Sequence, residues 1–474
     1  MATKKQSTSN STKKKSSSKS NNAKVKKFAK KYPQLFITIA VVVAIAIVTI
    51  WILDRTNVIT IPFLHPEDKT EEHYHPHTGD DGCVEDIVYD DFQIHFLELG
   101  NEYTGDSVYI KAGDNDILID AGSRGNSAAY INDYVKKYCT DGVLEYVIAT
   151  HNHQDHIAGF AGVNDTKATN FKGEKTGKTG VLYYFDVETL IDFTYAGVTE
   201  KVDGKDKTVT YLNKSQNSSS FGSSTVYGKY LAAREYAISK GTKYFTAKDL
   251  WDNNKHLFNL SDSITMDILW NNYYFEESSD INNYSVCSLF SYNDKHYLLT
   301  GDLEKEGEEK LANYYDGSTK EKTLPHVELF KGGHHGSYTA SNECLLSKVT
   351  PSISVCCCCA GATEYTVNND TTFPSQDYIN RIAKYTSRVY ITTLYDRIEK
   401  KNNSMNGNII ISSNGTEVGI YASNNLTRLK DSDWFNEDIY VIDGKVAKGS
   451  KGSTDFYTKD DPGVTLIKQR TWPS

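Results

Sequence analysis

Outside the contiguous run 356–359, no two cysteines in this 474-residue chain have the short paired spacing of a cysteine zinc site. The eight cysteines are Cys83, Cys139, Cys287, Cys344 and the run 356–359. We interpret the run as a buried strand of small apolar residues, with disulfide bonding or metal capture as the alternatives. A disulfide between Cys83 and Cys139 stays open, because spacing alone does not fix connectivity.

Acidic residues are absent from residues 1–33, which carry 11 lysines among Ser, Thr and Asn. We expect this Lys-rich segment to be disordered. The chain has a formal net charge of −9, so removing those 11 positive charges leaves −20 on residues 34–474. That balance excludes general nucleic-acid affinity, which depends on Lys and Arg at phosphates. Any polyanion would have to bind at a local basic patch.

Charged residues are also absent from the 19-residue apolar run 35–53. As a helix this run would span about 28 Å, close to the hydrocarbon thickness of a bilayer. A cleaved signal peptide usually has a shorter apolar run and a small-residue cleavage site. We therefore predict a single transmembrane anchor over 34–54. The lysines before it predict a cytoplasmic N-terminus and an extracellular bulk.

Four regions are predicted beyond the anchor. Residues 55–90 are rich in Pro, His, Asp and Glu and are interpreted as a stalk; its histidines indicate a solvated linker, with metal gathering as the alternative. Residues 91–424 form the main domain, within which the weakly periodic residues 162–260 are interpreted as an insertion with its own short strands and a helix near 229–240. Residues 425–474 are interpreted as a loosely packed polar tail.

The main domain alternates short apolar runs with Gly, Asn and Asp, which predicts an α/β layer fold. Strands are predicted at 92–97, 107–110, 117–119, 144–150, 264–269, 284–292, 295–300, 327–331, 353–359, 389–393 and 408–412. Helices are predicted at 127–139 and 304–315.

Three histidines and one aspartate occur within six residues, directly after the strand predicted at 144–150: His151, His153, Asp155 and His156. His151 and His153 are two residues apart, so an extended backbone points both side chains to one side. Asp155 and His156 follow after a turn and can reach a second metal nearby. Neutral imidazole is the commonest metal ligand, and this density of ligands predicts a metal site rather than a histidine-rich exposed loop.

This segment resembles the H-x-H-x-D-H signature of the metallo-β-lactamase superfamily. Residues 117–122, Ile-Leu-Ile-Asp-Ala-Gly, resemble the family strand that ends in Asp-x-Gly. Residues 298–302 resemble its later strand ending in Gly-Asp, and residues 331–337, Lys-Gly-Gly-His-His-Gly-Ser, resemble the hydrolase domain of competence DNA-uptake channel proteins (ComEC-like). Segments 282–285 and 406–409 also resemble that branch. The resemblance covers about residues 92–424.

The resemblance implies a four-layer αββα sandwich and a hydrolytic site with Zn²⁺, one or two ions, or Mn²⁺. It implies that His151 and His153 hold one metal, that Asp155 and His156 hold the other, and that Asp302 bridges them. A metal-bound hydroxide would be the nucleophile, and Asp155 would orient it or take its proton.

The remaining site residues each keep an alternative. One histidine of the pair His334 and His335 completes the ligands of the second metal, and His334 is slightly favoured for this role. The other histidine, which would then be His335, contacts substrate or stabilises the developing oxyanion. Asp120 supports the site from beneath or caps a helix. Lys331 offers a cation to an anionic substrate or is an ordinary strand residue.

One family feature is missing from the sequence. Many members add a third histidine to the first metal, between the main motif and the Gly-Asp strand. Only His256 and His296 lie in that interval, and neither stands in a matching context. The competence-type branch also tends to lack this ligand, so the number and identity of the metals stay open.

The competence-type resemblance implies phosphodiester cleavage, with extracellular DNA as the leading substrate. The charge of −20 and the single predicted membrane span argue against DNA. The alternatives are a cell-envelope phosphodiester of the teichoic-acid type and, in a different class, a metal-binding surface module without activity. A β-lactam substrate is the least favoured, because the motifs match another branch.

Overall fold

The computed structural model describes residues 83–99 and 104–473. The predicted Lys-rich segment 1–33 and the predicted anchor 34–54 lie outside the described residues, as does the predicted stalk up to residue 82. Among the helices of the described part of the chain, none has the length and apolar character to cross a membrane.

The described residues form strands and helices in a mixed order. The strands are β1 (Cys83–Glu85), β2 (Phe92–Phe96), β3 (Val108–Ala112), β4 (Asn115–Ile119), β5 (Val143–Ile148), β6 (Asp186–Asp192), β7 (Tyr195–Val202), β8 (Lys205–Leu212), β9 (Lys243–Thr246), β10 (Leu257–Asn259), β11 (Ile264–Ile268), β12 (Ser288–Tyr292), β13 (Lys295–Leu299), β14 (Leu329–Lys331), β15 (Ile353–Ala360), β16 (Val389–Asp396), β17 (Lys401–Ser404), β18 (Ile409–Ser413), β19 (Val418–Ala422), β20 (Asp438–Val441) and β21 (Thr465–Lys468). The helices are α1 (Ser127–Val135), α2 (Gln154–Ala161), α3 (Val181–Tyr184), α4 (Ser218–Phe221), α5 (Val226–Ser239), α6 (Ala247–Asp252), α7 (Lys305–Tyr314), α8 (Glu343–Val349), α9 (Gln376–Ile382) and α10 (Asp433–Asn436).

Two large sheets organise these elements. The first has the order β1-β19-β18-β2-β3-β4-β5-β6-β9, and the second has the order β10-β11-β12-β13-β14-β15-β16-β17. The sheets pack face to face through aromatic side chains: the ring centroid of Phe92 lies 6.2 Å from that of Phe290 and 4.9 Å from that of Tyr297. A core on the far side of the second sheet holds residues of α7, α8 and α9. Strands buried on both faces explain the near-continuous apolar runs of the sequence.

The topology brings four strand ends together. β4 pairs in parallel with β5 in the first sheet, and β13 pairs in parallel with β14 in the second. The residues that follow these strands, at 120, 149–156, 300–302 and 332–337, carry the motifs. Ligands of α/β sheets bind outside the carboxyl ends of the strands, so this arrangement creates one site from four distant segments.

The predicted insertion 162–260 contains the predicted helix, at Val226–Ser239, and short strands, but two of those strands, β6 and β9, belong to the first sheet. β6 pairs in parallel with β5, and β9 pairs in parallel with β6. Helix α5 packs on α2. The segment appeared weakly periodic because it contains many polar residues, and one of its buried polar groups, Asp192, is satisfied by Arg234 at 3.2 Å. Only β7 and β8 form a hairpin of their own.

The predicted loose tail, 425–474, is also corrected. β20 and β21 pair with each other, and Trp434 and Phe435 are buried in the core of the second sheet. The buried Arg470 guanidinium donates to the carbonyl oxygens of Pro374 and Thr372, both at 2.8 Å. These contacts are between residues far apart in the chain, so no local pattern in this polar segment revealed them.

The cysteine run forms the buried strand that the sequence predicts, within β15. Cys357 faces the core between the sheets, whereas Cys356 and Cys358 face the helix-covered core, as alternation along a strand requires. All four cysteines of the run are free, and so is the buried Cys139. Burial raises the pKa of Cys356 to about 11, which keeps its thiol protonated.

His95 in β2 faces away from the sheet interface. Its Nδ1 lies 2.9 Å from the hydroxyl of Tyr134 in α1, and its Nε2 lies 2.9 Å from Oε1 of Gln93. Burial lowers the pKa of His95 to about 3. The unfolded chain, whose histidine has an ordinary pKa near 6.5, therefore binds one proton more than the folded protein between these values. The free energy of unfolding therefore contains the full contribution of a neutral His95 above about pH 6.5, and this contribution is lost as the pH falls.

Replacement of His95 by Gln is expected to remove this pH dependence. Between about pH 6 and pH 4, the free energy of unfolding of the unmodified protein should fall by about 1.4 kcal/mol per pH unit more than that of His95→Gln. Urea unfolding at a series of pH values measures the difference. His326→Gln, at a largely exposed histidine, is the control and should follow the unmodified protein. Parallel profiles for His95→Gln and the unmodified protein would contradict the expectation.

Candidate metal centre

The histidine motif spans the end of β5 and the start of α2. His151 lies beyond the strand, and His153 is the residue that precedes the first turn of the helix, with extended φ and ψ of −68° and 151°. Asp155 and His156 therefore lie in the first helical turn, where the sequence predicted only a turn. The backbone of α2 lies against the loop after β4: the Gly159 N–H donates to the carbonyl oxygen of Ala121, and a Cβ on Gly159 would lie 2.3 Å from that oxygen.

Four imidazole rings surround one carboxylate oxygen, Oδ2 of Asp302. The distances to it are 3.0 Å from Nε2 of His156, 3.3 Å from Nε2 of His335, 3.8 Å from Nε2 of His334 and 4.0 Å from Nε2 of His151. Asp302 follows Gly301, which has a φ of +56° and would place a Cβ 2.9 Å from the Ser285 hydroxyl. The structure thus brings residues of three predicted motifs to one point.

His151 and His153 lie together at one edge of this cluster. Nε2 of His151 lies 3.0 Å from Nδ1 of His153. Burial lowers the pKa of both histidines, which favours the neutral ring whose lone pair a metal binds.

Asp106 completes the cluster and was missed by the sequence analysis. Asp106, His156, Asp302 and His335 are all buried, and their ligand atoms lie within 4.8 Å of one another. Oδ1 of Asp106 lies 3.2 Å from Nδ1 of His335. The available signal was the pair Gly105-Asp106 directly before the apolar strand β3, similar to Gly301-Asp302 elsewhere.

Lys331 lies inside the site rather than at its surface. Its ammonium is 2.5 Å from Oδ2 of Asp106 and 3.8 Å from Oδ1 of Asp302, and both partners are buried. It also donates to the carbonyl oxygen of Gly301 at 3.2 Å. Burial alone would lower the pKa of Lys331, but Asp106 and Asp302 raise it. Lys331 therefore neutralises the carboxylates of the site and is not free to meet a substrate.

The two adjacent histidines lie in a tight turn, Gly333–Gly336. Both have positive φ, 46° at His334 and 56° at His335. Nδ1 of His334 lies 2.9 Å from Oε1 of Glu304, and Nδ1 of His335 lies 2.9 Å from the carbonyl oxygen of Cys357. Because each Nδ1 has a partner, each Nε2 is directed towards Asp302, which is how proteins orient histidine ligands. His335 is fully buried, whereas the side chain of His334 is 20% exposed.

Asp120 lies beneath the cluster. Its carboxylate accepts the N–H of Thr150 at 2.8 Å and the hydroxyl of Thr150 at 2.7 Å, and Oδ2 lies 2.8 Å from Nδ1 of His156. Asp120 therefore orients His156, and no helix begins at this residue.

Asp155 faces the other side of the cluster, with Oδ2 3.4 Å from Nε2 of His335. Burial would raise its pKa, but the neighbouring His335 and His156 hold it well below the usual range. The hydroxyl of Tyr365 donates to the same oxygen at 2.7 Å. Asp155 is thus an ionised carboxylate at neutral pH.

The residues present fit a divalent metal. Among the described residues, Oδ1 of Asp302 and Nε2 of His335 are buried and make no hydrogen bond within the protein. Burial would lower the pKa values of His156 and His335, but Asp302 together with Asp120 or Asp106 raises both well above the usual range, as a site built for a cation would. Nitrogen and carboxylate donors without a thiolate suit zinc or manganese.

His256 and His296, the two histidines considered as a third ligand, make their contacts outside the cluster. Nδ1 of His256 lies 2.7 Å from Asp267, and its ring stacks on Trp251 at 3.8 Å between centroids. His296 lies in β13, and its Nδ1 is 2.8 Å from the hydroxyl of Ser291, as expected for a hairpin strand.

Replacement of Asp120 by Asn is expected to weaken metal binding without changing the side-chain volume. The amide loses one of the acceptor oxygens that hold Thr150 and His156, and an outer partner of a ligand typically contributes about 10–100-fold to metal affinity. Competition with a chelator measures the metal dissociation constant. Asp114→Asn, in the exposed turn between β3 and β4, is the control. An unchanged dissociation constant for Asp120→Asn would show that Asp120 does not orient a ligand.

Comparisons with known proteins give the same family. The model of the metallo-beta-lactamase superfamily matches residues 100–170. Recombination protein 2 of Haemophilus influenzae is 29% identical over 117 residues, which cover 25% of this chain and 13% of that protein. The match therefore spans about one eighth of that relative's length.

Solved structures are similar at low identity. YhfI of Bacillus subtilis, a metallo-beta-lactamase fold protein, is 12% identical, covering 64% of this chain and 96% of its own, with a TM-score of 0.29. A probable metal-dependent hydrolase of Staphylococcus aureus is 11% identical, covering 72% of this chain and 100% of its own, with a TM-score of 0.27. The family match over the histidine motif and the motif residues that converge on Asp302 support a hydrolase domain of the metallo-β-lactamase superfamily type, similar to the ComEC-like branch.

Proposed function

We propose that this protein is a metal-dependent phosphodiesterase. The observation that carries the proposal is the convergence of imidazole groups from the ends of β5 and β14 on Asp302 at the end of β13, with Asp106 and an ionised Asp155 beside them. Phosphodiester hydrolysis needs charge stabilisation at the phosphorus and a deprotonated water, and a metal bound at such a cluster supplies both. The motifs of the competence-type branch support a phosphodiester over other substrates of the superfamily.

The residues around the cluster have separate roles in this proposal. Asp155 accepts a proton from the attacking water, because its carboxylate is ionised. His151 and His153 offer neutral ring nitrogens to a metal. Asp302 offers carboxylate oxygens, beside the rings of His156 and His335. Asp120 and Glu304 act through others: they fix the orientation of His156 and His334.

DNA and a cell-envelope diester are the two candidate substrates. The similarity to Recombination protein 2 supports DNA. A cavity of about 480 Å³ beside His334 has four acidic lining residues, Asp280, Glu304, Glu306 and Glu309, which disfavour DNA and poly(glycerol phosphate) alike. A wall of this charge repels a polyanion at low ionic strength more strongly than it repels a substrate with one phosphate.

A substrate panel tests the proposal on the full-length protein in detergent, with zinc or manganese added. The substrates are bis(p-nitrophenyl) phosphate, single- and double-stranded DNA, and poly(glycerol phosphate). Turnover of a diester is the expected result. Metal binding without turnover of any of the four would overturn the phosphodiesterase proposal in favour of a metal-binding module. Faster turnover of DNA than of poly(glycerol phosphate) would support a nuclease over a cell-envelope phosphodiesterase.

The proposal includes an extracellular position, held by the apolar run 35–53. Its support is the sequence: the uncharged run and the lysines on its N-terminal side. Protease added to intact cells should remove the hydrolase domain from the cell-associated protein. A domain that is cleaved only after lysis would reverse the proposed orientation.

A further inference from the structure

The loop after β15 brings Tyr365 to the metal-binding motif. The Tyr365 hydroxyl donates to Oδ2 of Asp155 at 2.7 Å, although the two residues are 210 positions apart in the chain. The Tyr365 ring packs on Phe373, with 5.3 Å between centroids. Phe373 in turn lies 5.7 Å from the ring of His334 and 5.6 Å from that of His335. Tyr365, Phe373 and the two histidines therefore form one continuous wall of the site.

The backbone around Tyr365 is held on both sides. Glu364 accepts the N–H of Thr104 at 3.1 Å, and its carboxylate lies 3.4 Å from the guanidinium of Arg124. The hydroxyl of Thr363 donates to the carbonyl oxygen of Ser453 at 2.6 Å, which ties the loop to the C-terminal segment. These contacts fix the phenol in place before a substrate arrives, which reduces the cost of ordering it on binding.

Tyr365 is the most exposed part of this wall. The residue is 43% exposed, whereas Asp302 is 1% and His335 is 0% exposed. A substrate that approaches Asp155 along the wall meets the phenol first. A phenol donates one hydrogen bond, and the anionic oxygens of a phosphodiester are strong acceptors.

We propose that Tyr365 binds the substrate of this site, by transferring its hydrogen bond from Asp155 to a non-bridging oxygen of the phosphodiester. The inference rests on the proposed phosphodiesterase function and adds a residue to it. Since the transferred bond has a charged acceptor, both the bound substrate and the transition state are stabilised. Tyr365 gives no proton away in this role.

Tyr365→Phe in the full-length protein tests the role, since the variant keeps the ring on Phe373 and removes only the hydroxyl. We expect kcat/KM for bis(p-nitrophenyl) phosphate to fall by about 10–100-fold, the worth of one hydrogen bond to a charged group. The affinity for inorganic phosphate, measured by calorimetry, should fall as well, while the metal content stays unchanged. Tyr440→Phe, in β20 of the C-terminal hairpin, is the matched control and should keep all three values.

Three results overturn the inference. The first is a variant whose kcat/KM and phosphate affinity stay within about twofold of the unmodified protein. The second is a loss of activity that follows a loss of metal, which would make Tyr365 only a positioning residue for Asp155. The third is that the unmodified protein and Tyr365→Phe bind phosphate with equal affinity and neither of them hydrolyses a diester. Lack of turnover in the unmodified protein, with phosphate affinity lowered in Tyr365→Phe, would instead remove the proposed function and retain the binding role.

Discussion

Replacement of Asp302 by Asn is expected to abolish diester hydrolysis and to remove most of the bound metal. Oδ2 of Asp302 is the point that Nε2 of His156 and Nε2 of His335 reach at 3.0 and 3.3 Å. An amide has nearly the same shape but no negative charge, so it binds a divalent cation weakly. The loss in turnover should exceed the roughly 10–100-fold that an outer partner contributes.

Turnover of bis(p-nitrophenyl) phosphate and metal content, measured on the same sample, check this expectation. The matched control is Asp252→Asn, which removes an exposed carboxylate paired with Lys248 in α6. Turnover above about one tenth of the unmodified value would be incompatible with a central position for Asp302 in the site. A melting temperature close to that of the control would show that the variant is folded.

Replacement of Lys331 by Met is expected to produce the largest loss of stability. The ammonium lies 2.5 Å from Oδ2 of Asp106, and the side chains of the pair are only 3% and 1% exposed. Methionine fills most of the volume but leaves the Asp106 carboxylate without its cation. Breaking one side of a buried pair typically costs about 3–5 kcal/mol, because the remaining charge stays desolvated.

Urea unfolding measures the loss in the free energy of unfolding. A chelator is present so that no metal replaces the lost positive charge. Lys384→Met removes an exposed pair with Glu343, whose nitrogen–oxygen distance is 3.0 Å and whose side chains are 57% and 51% exposed. That control should lose at most about 1 kcal/mol. Similar losses for the two variants would contradict the internal ion pair.

The sequence predicted the parts of the site that are contiguous in the chain. His151 to His156 form one dense motif, and Asp302 and the His334–His335 pair each follow an apolar strand, so the family resemblance located them. The strands of both sheets were predictable for a related reason: buried on both faces, they are short apolar runs bounded by turn residues.

The parts that were missed depend on tertiary contacts between distant segments. Asp106 lies near a strand start, 45 residues before the histidine motif, and Tyr365 lies in a loop 209 residues after it, so the motif itself indicates neither residue. The sequence also does not distinguish the environments of the adjacent histidines His334 and His335. Their order in the chain does not reveal that His335 is buried with Asp106, whereas His334 is partly exposed and paired with Glu304.

Polar segments account for the corrected boundaries. β6 and β9 extend the first sheet although their segment is rich in Lys, Thr and Ser, because buried polar groups such as Asp192 find partners within the protein. The residues after 425 are held by the buried Arg470 and Trp434. Single buried residues in a polar stretch leave no periodic pattern, so the sequence indicated a tail.

We propose that the cluster around Asp302 binds a metal and that the protein hydrolyses a phosphodiester at this metal. The most direct measurement is the turnover of bis(p-nitrophenyl) phosphate by the full-length protein during stepwise addition of zinc or manganese to the metal-free form, with bound metal determined at each step. Turnover should be absent without metal, rise in proportion to the metal bound, and do so in Asp252→Asn but not in Asp302→Asn. Metal that binds equally to Asp302→Asn, or that fills the unmodified protein without producing turnover, would contradict this proposal.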